Sequence, residues 1–166
     1  MSQICTLSPV INGRELRYDI ASREIWGANK RSGIWRVKSV CKKVTKQGEY
    51  LQMHIGSKTY QHHRVIYKFY NPNWDIDDGS KDNFIDHING HTDENQIENL
   101  RNLTHQQNGW NRTKAKGYSW CKDMKKWRAY INLNDKQIHL GLFDLEADAR
   151  NAYLEAKKIH HIITPL

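Results

Sequence analysis

The 166-residue sequence predicts an α+β chain built from several small units rather than one large sheet or bundle. Three observations carry this. Short apolar-alternating runs punctuated by glycines fill residues 16–70, two brief apolar stretches flank a dense polar string at 82–112, and a long alternating hairpin precedes a helical stripe at 117–161. No low-complexity tract interrupts them, and a chain of this length buries roughly 70% of its unfolded surface on folding, enough for one ordinary domain or two small ones.

In chain order, residues 16–20, 34–37 and 50–55 read as strands, with turns marked by Gly33, Gly48 and Gly56. The period changes at 61–70, where Val65, Ile66 and Phe69 take helical spacing and Asn71-Pro72-Asn73 stops the helix. Phe84 and Ile85 start a brief strand, Gly90 makes a turn, and Leu100 and Leu103 mark a second apolar stretch. Thr104 followed three residues later by Gln107 matches a capping box, so a helix begins near His105 and carries Asn108 in its first two turns.

Farther on, Trp127, Ala129, Ile131 and Leu133 alternate with Arg128, Tyr130 and Asn132, the pattern of a half-buried strand. After a turn at Asn134-Asp135, Ile138, Leu140 and Leu142 alternate with Gln137, His139 and Gly141. Asp144 is placed to cap a helix with Glu146 and Asp148 in its first turn and Ala149, Ala152, Tyr153 and Ala156 as its apolar stripe. A three-stranded sheet covered by one helix is the expected result. Residues 112–116 read as a linker, and the whole divides into segments 1–74, 75–112 and 113–166.

The formal charge of +8 points to a polyanionic partner, and nucleic acid is the default one. The charge is uneven: residues 1–74 carry 13 Lys/Arg against 4 Asp/Glu, residues 75–109 carry 2 against 8, and residues 110–166 carry 11 against 6. An acidic island between two basic flanks is most often a solvated loop, but near DNA a bound cation would account for it. Cys5, Cys41 and Cys121 are odd in number and widely spaced, which suggests neither a disulfide framework nor a cysteine zinc site. With no membrane-length apolar run and no signal-peptide core, the expectation is a cytoplasmic protein without a membrane partner.

The acidic island contains Asp86-His87-Ile88-Asn89-Gly90, then Glu98-Asn99-Leu100-Arg101, then Gln107-Asn108. In order and spacing this string resembles the HNH nucleases. The resemblance implies a two-stranded hairpin and helix around one divalent metal ion, Mg²⁺ or Mn²⁺ with Zn²⁺ as the alternative. It makes His87 the general base, Asp86 and Asn108 the metal ligands, and Asn99 the brace of the loop bearing the base. The chemistry is consistent. Phosphodiester hydrolysis needs a deprotonated water and charge neutralisation at the leaving oxygen; imidazole titrates near neutrality, and carboxylate and amide oxygens are hard ligands. His105 and Asn111 are register alternatives to Asn108, placed second because the capping-box helix presents Asn108 early. Asn95 is a rival for Asn99, and His91 matches no required position. His62-His63-Arg64 stands where phage relatives carry a His-Arg dipeptide, which implies that His63 or Arg64 lies beside the scissile phosphate; a generic nucleic-acid contact is the competing role.

Gly117-Tyr118-Ser119-Trp120, Lys126-Trp127-Arg128-Ala129-Tyr130 and Leu140-Gly141-Leu142-Phe143-Asp144 resemble the Apetala-type DNA-binding domain of plant ethylene-response factors. That resemblance implies a sheet laid in the major groove, with Arg128, Tyr130, Asn132, Gln137 and His139 outward, Lys126 on the first long strand, and Arg112 and Lys114 contacting DNA from the linker. Ser119 and Cys121 stand where the plant domains carry arginines, so their base preference does not transfer. On the N-terminal flank, Arg36, Lys38, Lys42, Lys43 and Lys46 form either a phosphate-binding face or a solvated one. The order of units is similar to that of phage-encoded HNH homing endonucleases, implying a monomer or homodimer on double-stranded DNA in a host cytoplasm. Two other readings compete: a DNA-binding regulator whose HNH unit is structural, and a restriction-type nuclease.

Overall fold

A computed structural model describes residues 4–5, 9–45, 48–80, 82–110, 116–134 and 136–163. The fold is α+β, with several small sheets and few helices, in two compact units, 1–102 and 103–166. The expected division at 74/75 falls inside the first unit.

In the first unit, β1 (Ile4–Cys5), β2 (Val10–Ile11), β3 (Arg14–Asp19), β4 (Glu24–Ala28) and β5 (Trp35–Val37) form one sheet in the order β1-β3-β4-β5, with β2 also pairing β3. A second antiparallel sheet follows from β6 (Cys41–Thr45), β7 (Gly48–Ile55) and β8 (Lys58–Gln61). The sequence marked three of these strands. The other five were missed: β1 and β2 span two residues each, β6 buries no side chain fully and its run Cys-Lys-Lys-Val-Thr has no apolar alternation, and β4 and β8 are short and each buries one residue.

Helix α1 (His62–Tyr70) runs straight on from β8 and ends at Asn71, as the sequence predicts. It buries Val65, Ile66 and Phe69, and also His63 and Tyr67. All of these but His63 join Leu16, Tyr18, Met53 and Ile55 from the two sheets and Leu100 from the far part of the acidic island in one apolar cluster. A single core therefore underlies both the basic N-terminal strands and the polar string, and the string is anchored at both ends. β9 (Phe84–His87) and β10 (Leu100–Leu103) pair as a two-stranded ribbon, with a 3-10 turn at Ile97–Asn99 leading into β10.

The second unit opens with α2 (His105–Trp110). Its capping box is complete: Thr104 N–H donates to Gln107 Oε1 and Gln107 N–H to Thr104 Oγ1, each at 3.1 Å. β11 (Tyr118–Cys121), β12 (Lys126–Leu133) and β13 (Lys136–Phe143) form an antiparallel sheet, and α3 (Glu146–His160) packs on it. Ile131, Tyr153 and Ala156 form its core, and Trp110 of α2 stacks on His161 with ring centroids 4.6 Å apart.

Two local expectations are corrected. Asp144 does not cap α3. Leu145 holds the N-cap position without a side-chain hydrogen bond, and Asp144 instead pairs with Lys126 at 3.2 Å. Strict alternation along β13 also fails. Ala129 pairs with Gly141 while Tyr130 pairs with His139, so Leu140 is an extra residue in a bulge. That shift puts Leu142 opposite Arg128, off the face shared by Ile138 and Ile131. No helix among the described residues is long and apolar enough to cross a membrane.

Candidate active site

β9 carries Asp86 and His87 to the start of a tight turn, where Gly90 N–H donates to His87 O at 3.0 Å and Gly90 adopts φ +77°. Glycine takes that left-handed conformation without steric cost, so the turn fixes where the loop leaves the end of β9. The loop beyond is pinned from two sides. Thr92 Oγ1 donates to Glu49 O of β7 at 2.6 Å. Asn99 accepts from Asn89 N–H at 3.1 Å and donates to Asn89 Oδ1 at 3.0 Å and Glu94 O at 2.8 Å. Asn99 thus ties both ends of the 89–94 loop together.

Asp86 faces a partner absent from the sequence reading. Arg101 of β10 donates from Nε and Nη2 to Asp86 Oδ2 at 3.0 and 2.9 Å, and both side chains are only 14% exposed. Such a charge-assisted pair fixes the carboxylate in one orientation. A signal existed: residues 75–109 contain only Lys81 and Arg101 as basic residues, so an arginine among eight carboxylates is a ready ion-pair candidate.

His87 is buried at 4% exposure. Its Nε2 lies 2.8 Å from Asn95 Oδ1, and Asn95 Nδ2 lies 3.2 Å from His62 Nδ1. His63 packs edge-on against His87, with centroids 4.9 Å apart and planes at 72°, and Tyr50 packs against His63 with centroids 5.9 Å apart. Burial, reinforced by the neighbouring His87, Arg64 and His62, pushes the His63 imidazole down to about 3. Burial also lowers His62. His63 is therefore a neutral packing ring at neutral pH, and among the described residues its Nδ1 has no hydrogen-bond partner.

Arg64 points the other way along α1. It donates to the carbonyls of Asn83 and Ile76, each at 2.9 Å, and lies over the Trp74 ring at 4.7 Å, bracing the chain that leads into β9. Between His63 and Arg64, then, it is His63 that reaches His87. An open cleft of about 640 Å³ borders this region, lined by His63, Arg64, Asn83, Phe84 and Ile85.

The acidic island has local explanations that sequence alone did not supply. Asp75 and Asp78 accept backbone N–H bonds within their own turns, Asp77 pairs with Lys58 and Tyr60, and Glu94 accepts from Asn89. A cation is not required to account for those carboxylates. Among the described residues no group of three or more His, Cys, Asp or Glu side chains converges as a metal cage. The carboxylate of Asp86 and the amide oxygen of Asn108 are each hard oxygen donors, the ligand type that suits Mg²⁺ or Mn²⁺. Asn108 sits on α2 in the second unit, its N–H bonded to Thr104 O at 3.0 Å, and His105 opens the same helix. Asn111, Arg112 and Lys114 lie outside the described residues. His91 is exposed.

In the second unit, register places Lys126, Arg128, Tyr130, Asn132, Gln137 and His139 on one face of the sheet, opposite the face carrying buried Ala129 and Ile131. Arg128, Asn132, Gln137 and His139 are exposed, Tyr130 and Lys126 half-buried, and the Arg128 guanidinium lies 5.7 Å from the Tyr130 ring centre. Lys126 is engaged with Asp144. Trp127 is half-buried on the other face, against Tyr118 and Trp120.

Comparison with known proteins places these features. Over 96 residues the chain is 28% identical to Protein 3.8 of Escherichia phage T7, covering 52% of this chain and 79% of that protein. No solved structure matches the chain. Residues 60–110, from the end of β8 through α2, match the family described as HNH endonuclease, and that span holds His63, Asp86, His87, Asn99 and Asn108.

Proposed function

We propose that the protein is a metal-dependent HNH endonuclease that hydrolyses phosphodiester bonds in double-stranded DNA, as a homing-type enzyme acting at a long recognition site. The observation that carries this reading is the packing of one immobilised imidazole, His87, next to one oriented carboxylate, Asp86, inside the span that matches the HNH family. Hydrolysis requires an acceptor for the proton of the attacking water, and His87 supplies it. Asp86 and Asn108 would hold the divalent ion; when bound, that ion neutralises charge on the phosphate and leaving oxygen. Asn99 keeps the loop that follows His87 closed, and His63 fills the space beside the ring.

Residues 113–166 act in this reading as an Apetala-type DNA-binding module. Its exposed face offers Arg128, Asn132, Gln137 and His139, the side-chain types that hydrogen-bond base edges and phosphates. Arg112 and Lys114 would add phosphate contacts. Each chain has one such site and cuts one strand per engagement, so a monomer nicks and a homodimer breaks both strands.

The test is incubation of supercoiled plasmid carrying the cognate site with protein and Mg²⁺ or Mn²⁺. Nicking or linearisation is expected. It should stop with EDTA and fall about 10²- to 10⁴-fold in His87→Ala, the range for loss of a general base. Cleavage that survives both would overturn the assignment.

A further inference from the structure

We infer that Asn95 is the positioning residue for His87: its side-chain oxygen holds the imidazole as the Nε2–H tautomer and leaves Nδ1 to accept the proton of the attacking water. The inference rests on the reading of His87 as the base.

The geometry is a three-membered chain across the first unit, in which the Asn95 amide bridges two rings. His87 Nε2 is 2.8 Å from Asn95 Oδ1, and Asn95 Nδ2 is 3.2 Å from His62 Nδ1. An amide oxygen only accepts, so His87 Nε2 must carry the hydrogen. An amide nitrogen only donates, so His62 Nδ1 must be bare, and both rings are then Nε2–H. Turning the amide over would preserve two hydrogen bonds but force both rings into the Nδ1–H form, the less stable tautomer of a histidine side chain in water. The direction that satisfies every atom is therefore also the one that each ring prefers. Burial of His62 favours its neutral form, which alone can accept from the amide.

Rotation of the His87 ring is blocked as well. His63 lies edge-on to it at 4.9 Å. Among the described residues no group bonds to His87 Nδ1. A base with one nitrogen committed to a fixed acceptor and the other unprotonated is ready for proton abstraction without rearrangement, which is how second partners of catalytic histidines act.

The division of labour between two asparagines follows. Asn99 bonds Asn89 and the Glu94 carbonyl and sets the loop, whereas Asn95 bonds the ring and sets its proton. The same chain gives the His62-His63-Arg64 triplet three separate tasks. His62 fixes Asn95, His63 packs the base, and Arg64 braces the approach to β9.

The experiment is long-range ¹H–¹⁵N correlation of the imidazole rings in the metal-free full chain at alkaline pH, with His87 assigned by loss of its signals in His87→Gln. Wild type should give His87 protonated at Nε2. Asn95→Ala should give a tautomer mixture and lower kcat roughly 10- to 100-fold, with Mn²⁺ binding, read by the free-ion paramagnetic signal, unchanged. Asn95→Asp keeps the acceptor oxygen and should retain the Nε2–H form and recover kcat relative to Asn95→Ala. His87 protonated at Nδ1 in wild type, or a tautomer indifferent to Asn95→Ala, overturns the inference. A wild-type protein that cleaves no DNA yet shows the Asn95-dependent tautomer defeats the nuclease reading instead, and leaves the positioning of His87 standing.

Discussion

Two side chains of the site, His63 against His87 and Arg101 against Asp86, make separable demands on stability. His63 is 3% exposed, and burial first, then the charges of His87, Arg64 and His62, pull its imidazole from 6.5 to about 3. A depressed histidine binds fewer protons folded than unfolded, so its contribution is complete above the unfolded value and is lost as pH falls below it. The first unit should therefore lose up to roughly 1.4 kcal/mol for each pH unit between about 6.5 and about 3, with His62 adding in the same direction. Urea midpoints measured across mildly acidic pH check this, and His63→Phe should flatten the slope; an equally steep slope in that variant would refute it. Arg101 is tested differently. Arg101→Ala removes both donors from Asp86 Oδ2 in a site where each partner is 14% exposed. A loss of roughly 1.5–3 kcal/mol is expected, the range for hydrogen bonds to a charged group. Arg101→Lys should recover only part of it, since a point charge cannot reproduce the two-nitrogen grip.

At the scale of elements, the ribbon, its loop and the C-terminal sheet depend on close approaches that substitution can probe. Asn99→Ala removes three hydrogen bonds holding the 89–94 loop, and faster amide exchange at Asn89 is the expected readout, because that N–H donates to Asn99. Gly117 is the sharper case. A Cβ there would come within 1.9 Å of Tyr153 Cδ2 and 2.6 Å of the Tyr130 carbonyl, so Gly117→Ala should destabilise the second unit by about 1–3 kcal/mol. Calorimetry that shows an unaltered melting transition for this unit would contradict the packing. Elements with strong periodic or capping signals were legible from sequence. α1 ends where Asn71-Pro72 predicts, α2 starts on the Thr104/Gln107 box, and β12 alternates as its residues do. What escaped were features without a periodic signal. The β13 bulge turns on the pairing partner of Leu140, and Lys126 competes for Asp144 from 18 residues away. The same holds at the site. His87 and Asn99 could be placed from their order in the string, but the Asn95 bond to His87 and the Arg101 bond to Asp86 are choices between near-equivalent residues that only the folded chain makes.

For the whole molecule, the two basic flanks and the polar centre set how the protein should engage DNA. The flanks 1–74 and 110–166 hold 24 of the 26 Lys/Arg residues, while the stretch between them is acidic, with Asp86 paired to Arg101 inside it and Asp77 to Lys58 of the first flank. Attraction to a phosphate backbone must then come from the flanks, with the central span contributing chemistry more than affinity. If 6 to 10 phosphates are neutralised, affinity for the cognate duplex should fall about 10³- to 10⁵-fold between 50 and 200 mM salt. Arg128 provides the finer test, because it is exposed on the sheet face opposite the core and lies beside Tyr130. Should it meet a phosphate, Arg128→Ala weakens binding to all sequences alike and reduces the salt slope by about one unit; should it meet a base edge, the slope holds and discrimination at one position drops by roughly 1–3 kcal/mol. Fluorescence anisotropy on cognate and scrambled duplexes over a salt series separates the two. A variant that changes neither slope nor discrimination would remove this face from the DNA contact, and the N-terminal strands would have to supply the grip alone.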